Sequence, residues 1–143
     1  MGHKRDGMAK AVLIGGVVGG LLSSLPFPTC ILPYFLSGVI SAYLMSREFS
    51  RSNVDYLIAG TLSGVIAGFL SWCLDTVILL TAVPSLVKTY IDINPSMGDH
   101  FMELVYMEGV MAVNAYKMNI PFYVILGAIS GAIGGILYGK LRR

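Results

Sequence analysis

Three long stretches of the chain are almost free of charge. Residues 11–46 contain no Lys, Arg, Asp or Glu, residues 57–83 contain only Asp75, and residues 118–139 contain none. Inside them Leu, Ile, Val, Ala and Gly occupy every helical face, whereas a helix at the surface of a soluble domain keeps one polar face at 3.6-residue spacing. Crossing a membrane takes roughly 17–25 mostly apolar residues, so the pattern predicts helices in lipid. As a single helix the first stretch would run to about 54 Å, well beyond a ~30 Å hydrocarbon core. The segment PFPTCILP, with Pro26, Pro28 and Pro33, breaks it. Proline lacks an amide hydrogen and disfavours helix in the residue before it. The expectation is therefore a tight hairpin of two short spans, about 10–25 and 29–46, followed by a third at 56–80 and a fourth at 120–139. Pro121 falls in the first turn of the fourth, where proline costs little. The fold class expected is all-α: a polytopic membrane protein, a four-helix transmembrane bundle built from two helical hairpins. Lys4, Arg5 and Lys10 ahead of an apolar run also resemble the start of a secretory signal. The run continues to Met45 with no small-x-small cleavage site, and so reads as structure.

Between the third and fourth spans lies a segment too long for a simple turn. Connections of this length usually carry their own structure or a function. From Gly98 to Tyr116 its spacing is helical, with Phe101, Leu104, Val105 and Glu108 on one face and Asp99, His100 and Glu103 on another. Ser96, with Asp99 three residues on, resembles a capping box. The favoured reading of 83–118 is an amphipathic helical segment on the outer surface or lidding the bundle.

Composition agrees with the pattern. The chain is 55% hydrophobic and 13% charged, against about 25% charged for a soluble domain. Charge then sets orientation. If four spans start from an inner N-terminus, the inner segments hold Lys4, Arg5, Lys10, Arg47, Arg51, Lys140, Arg142 and Arg143, leaving only Lys88 and Lys117 outside. Lys and Arg near span ends accumulate on the cytoplasmic side. The expectation is a multi-pass cell-membrane protein with both termini cytoplasmic.

Small residues recur four apart in every span: Gly16 and Gly20, with Gly15 and Gly19 beside them; Gly38, Ala42 and Ser46; Gly60, Gly64 and Gly68; Gly127, Gly131, Gly135 and Gly139. Residues four apart share a helix face. In lipid, hydrophobic burial no longer drives helices together, and small residues let backbones approach and gain dispersion contacts. The first reading of these glycines is bundle packing; the others are oligomer contacts and the lining of a conduit. The spans also look duplicated. GVVGGLLSS (16–24) aligns with GVIAGFLSW (64–72), and LSGVISAYLMSR (36–47) with ISGAIGGILYGK (129–140). Both copies would start inside, as in a parallel internal repeat.

Candidate chemistry is sparse. Asp75 is the one acid within an apolar block, and an intramembrane acid is a functional candidate. Its place beyond Trp72, near the outer boundary, also suits a headgroup-facing carboxylate. Asp99, His100 and Glu103 could hold a divalent cation from one helical turn, but ligand spacing gives no metal motif, and neither a metal nor a cofactor is expected. Cys30 and Cys73 fall toward the same side of the membrane, as a candidate disulfide or as two buried thiols. No nucleophile triad, phosphate-binding loop or paired metal-ligand histidines appear. The basic termini suit membrane orientation better than nucleic acid.

The run GGVVGGLLSSLPFPTC, followed by LSGVISAYL, resembles small uncharacterised glycine-rich four-span membrane proteins common in archaea. The likeness covers about residues 11 to 75 and implies a four-helix membrane protein without a known activity. The short four-span length is also similar to that of small multidrug transporters, whose essential acid in the first span is missing from 11–25. The functional expectation is a non-enzymatic packing, assembly or scaffold component, with the bilayer and a homo-oligomer or membrane protein as partners. The alternative is a small oligomeric channel or transporter with Asp75 near its outer mouth.

Overall fold

The computed structural model describes residues 2–24, 31–48, 52–93 and 98–142. Among them the only regular element is the α-helix: α1 (Gly2–Ser23), α2 (Leu32–Glu48), α3 (Asn53–Ile93), α4 (Gly98–Met118) and α5 (Ile120–Leu141). Residues Asp6–Ser23, Asn53–Ile93 and Ile120–Leu141 mark three helices long and apolar enough to cross a membrane. The second expected span falls on α2, whose 17 residues reach only about 26 Å.

Local chemistry explains several boundaries. Pro33 and Pro121 are each the second residue of a helix, where a missing amide leaves no hydrogen bond unmade. The hairpin prolines Pro26 and Pro28 lie outside the described residues, as does Ser96. At the start of α3, Ser52 and Asp55 cap one another. The Ser52 amide donates to Asp55 Oδ2 at 3.1 Å, and the Asp55 amide donates back to Ser52 Oγ at 3.3 Å. This reciprocal arrangement gives the Ser52 amide an acceptor and the Asp55 amide a second one beside the Ser52 carbonyl, to which it also donates at 3.1 Å.

The largest departure from expectation is α3. The sequence reading ends the third span near Leu80 and opens a separate outer segment at 83, but the helix continues through Pro84 to Ile93. Proline inside a helix loses one backbone hydrogen bond and crowds the carbonyl four residues earlier. It need not end the helix when the residues on both sides keep their own bonds. Side-chain hydroxyls add bonds around it: Thr81 donates to the Val77 carbonyl at 2.8 Å and Ser85 to that of Ala82 at 2.9 Å. The segment from Gly98 is helical, as its spacing suggests, and ends at Met118.

The chain divides into two compact units. One comprises Met1–Ser71 and Pro121–Arg143, the other Trp72–Ile120. The first unit is inside-out by the standard of soluble proteins. Most of its buried residues are small or hydroxylated, among them Ala42, Ala59, Ala67, Ser37, Ser41, Ser63, Ser71 and Ser130, with Val12 and Met45 as larger apolar exceptions. On α5 the buried positions are Gly127, Ser130, Gly131, Gly134, Gly135 and Gly139, while Ile125, Ile129, Ile133 and Leu137 are exposed. In water so much exposed Leu and Ile would be an aggregation surface. Hydrocarbon is the solvent in which this distribution is stable.

Candidate functional site

The defining geometry of the first unit is a set of glycine contacts between helices. A Cβ on Gly64 would strike the carbonyl oxygen of Gly127, and one on Gly127 would strike that of Gly64. Gly60 and Gly131 collide in the same reciprocal way, and a Cβ on Gly135 would meet the Tyr56 carbonyl. Gly68 lies against the Tyr123 carbonyl, and Gly139 has the Tyr56 ring 2.7 Å from where its Cβ would stand. Along α3 and α5 the backbones thus touch with no side chain between them. In lipid, dispersion between closely approaching backbones is a principal source of helix association. Each glycine costs about 1 kcal/mol of helix propensity in water. That cost shrinks where unfolding would strand amides in hydrocarbon.

The other helices join by the same device. Gly38 on α2 faces the Gly131 carbonyl, and Gly134 on α5 faces that of Phe35. On α1 two adjacent columns divide the work. Gly15 and Gly19 face α2, with Cβ positions 2.9 Å and 2.5 Å from the Cβ atoms of Ser41 and Ser37. Gly16 and Gly20 face α3, each 2.7 Å from the Cβ of Ile66 or Leu70. Gly134 and the interior serines Ser37, Ser41 and Ser63 are participants that glycine spacing alone did not reveal. Their signal was present as Ser37 and Ser41 four apart and as Gly134 beside Gly135, a second small column next to the obvious one. Ser63 bonds back to the Gly60 carbonyl at 3.1 Å and Ser41 reaches the Ala59 carbonyl at 3.4 Å, but Ser37 Oγ is buried without a partner among the described residues.

At one end of this unit an aromatic and basic group closes the bundle. Tyr138 meets Tyr43 and Tyr56 edge-on, with ring centroids 6.1 Å and 6.3 Å apart. The Tyr138 hydroxyl is 3.1 Å from Ser46 Oγ. Arg142 Nη1 donates to the Ser46 carbonyl at 2.7 Å, and the Arg47 guanidinium lies 5.0 Å from the centre of the Tyr43 ring.

Asp75 is half-buried on α3 and is engaged by a neighbour. His100 and Glu103 are exposed on α4, which also carries Asp99. Among the described residues no three His, Cys, Asp or Glu side chains come together as a metal site. Cys73 is a half-buried free thiol, and Cys30, its candidate disulfide partner, lies outside the described residues. Gly109 on α4 differs from the interior glycines: a Cβ there would meet nothing within 4 Å.

Long, almost charge-free runs in helices with small, buried interiors and Leu-rich, Ile-rich exteriors describe a membrane domain. A family model for the MJ1491 transmembrane domain matches residues 9–143. The chain belongs to that family. The match covers all five helices apart from the first turns of α1, so the 83–121 region is part of the family's domain along with the glycine-rich helices. Neither a curated protein nor a solved structure matches the chain.

Proposed function

We propose that this membrane protein is a non-enzymatic assembly or scaffold component. In this reading the glycine-packed unit is a rigid membrane anchor, and Trp72–Ile120 is the part that meets a partner. One observation carries it: the glycines from Gly15 to Gly68 and from Gly127 to Gly139 lie against other helices of the same chain. Those faces are used for internal packing, which leaves partner contact to the remaining surface. On α4 that surface includes Leu104, Met107, Met111 and Met118, all exposed at helical spacing. Flexible methionines suit a contact face that adapts to its partner. The working topology has four spans, α2 being the short one, and both termini cytoplasmic. The distribution of Lys and Arg supports it.

Photo-crosslinking in cells tests the reading. A crosslinker at Met107 or Met111 is expected to give a discrete protein adduct, and one at Ile129 or Leu137 only lipid adducts. Lipid adducts alone from all four positions would overturn it. The alternative is a small oligomeric channel or transporter with Asp75 near its outer mouth. Its support is a carboxylate half-buried on an apolar helix. That reading requires ion or solute flux into liposomes that Asp75→Asn abolishes; absence of flux in the parent protein removes it.

A further inference from the structure

We propose that the end of the first unit formed by Tyr43, Arg47, Tyr138 and Arg142 binds the phosphodiester headgroup of an anionic lipid. Two guanidinium groups, from the C-terminal ends of α2 and α5, are brought to one place through a continuous chain of contacts. Arg47 stacks on Tyr43, Tyr43 packs edge-on against Tyr138, Tyr138 reaches Ser46, and the Ser46 carbonyl accepts from Arg142. Among the described residues neither guanidinium meets a carboxylate. Arg142 spends one donor on a backbone carbonyl, and Arg47 makes no hydrogen bond among the described residues.

An arginine fork presents five donors in a plane that matches phosphate oxygens, and a ring beneath it holds that plane in place. Both arginines are exposed, as is Lys140 beside them on α5. The site also stands where the apolar runs end. Leu36–Met45 and Ile120–Gly139 are uncharged up to Arg47 and Lys140, so the guanidiniums belong at headgroup level. Tyrosines concentrate at the same level because one end of the ring is apolar and the other polar. The charge complement of such a site is a lipid phosphate with a net negative charge. This goes beyond the orientation rule, which requires basic residues on one side and says nothing of two arginines converging around a tyrosine pair.

The test is lipid titration of the full chain in mild detergent, read by native mass spectrometry. The probes are phosphatidylglycerol and phosphatidylcholine. Phosphatidylglycerol is expected to bind in preference, and the Arg47→Gln/Arg142→Gln variant to weaken it roughly tenfold or more. Lys4→Gln/Arg5→Gln removes the same charge from α1 and should change binding less than about twofold if the site is local. Should loss of the Ser46 contact unfold the double variant, Arg47→Gln alone carries the test, with an expected loss of about fivefold. Bound phosphatidylglycerol should also survive millimolar inorganic phosphate. Equal binding of phosphatidylcholine, equal loss in both double variants, or displacement by free phosphate would each overturn the proposal.

Discussion

A methyl group at Gly131 would have to occupy space already filled by the Gly60 carbonyl oxygen and lie 2.9 Å from Gly64 Cα. Backbone cannot rotate aside as a flexible side chain can, so the helices must separate. Overpacking a tight interior costs roughly 1–3 kcal/mol. Gly131→Ala, with backbone on the facing helix, is expected near the upper end, seen as a lower thermal midpoint in detergent. Gly109→Ala is the matched control. It meets open space and should be neutral or gain up to about 1 kcal/mol of helix propensity. Equal destabilisation by both would mean that close approach is not what makes the interior glycines matter. Ser37 gives the converse case. Its buried hydroxyl has no partner among the described residues, and an unsatisfied buried polar group costs about 1–3 kcal/mol. Ser37→Ala should therefore leave the thermal midpoint unchanged or raise it, whereas a marked fall would show that the hydroxyl is bonded in the membrane. The glycine columns were legible in the sequence because spacing of four shows on a single line of text. The division of Gly15 and Gly19 from Gly16 and Gly20 between two neighbours was not legible, because which face meets which helix depends on the packing of all four.

Among the elements, α3 separates what sequence signals can and cannot fix. The Ser52–Asp55 cap gives its start a local cause, and local causes are readable. Its end is not, because Pro84 reads as a terminator while the chain on both sides stays helical. Proline in a helix interior costs about 3 kcal/mol. Pro84→Ala should slow amide hydrogen exchange across residues 80–88 by an order of magnitude or more. Unchanged exchange would mean that the helix is already interrupted there for another reason. The internal duplication is also qualified by the packing. Gly16 and Gly20 align with Gly64 and Gly68, yet the first pair faces α3 and the second faces α5. The task that Gly64 and Gly68 perform toward α5 falls on Gly15 and Gly19 toward α2. The two aligned copies resemble each other in sequence, but their aligned glycines do not make equivalent contacts.

For the molecule as a whole, the sequence disclosed the solvent before the architecture. Long charge-free runs identify a membrane domain, the family match agrees, and the inside-out burial of the first unit follows from the same physics. The candidate chemistry was far less legible. Asp99, His100 and Glu103 are close in sequence, but their grouping rests on one helical turn, and no second element among the described residues completes a site. The basic and aromatic end emerged only in three dimensions, since Arg47 and Arg142 are remote in sequence and meet through Tyr43, Tyr138 and Ser46. The fold as a whole depends on α3 and α5 lying backbone to backbone in lipid through their glycines. Solid-state NMR of the protein in bilayers, with 13C only at glycine Cα, tests it most directly. Backbone contact between α3 and α5 gives through-space cross-peaks between Gly64 and Gly131 and between Gly60 and Gly135; cross-peaks confined to neighbours along each helix would contradict it.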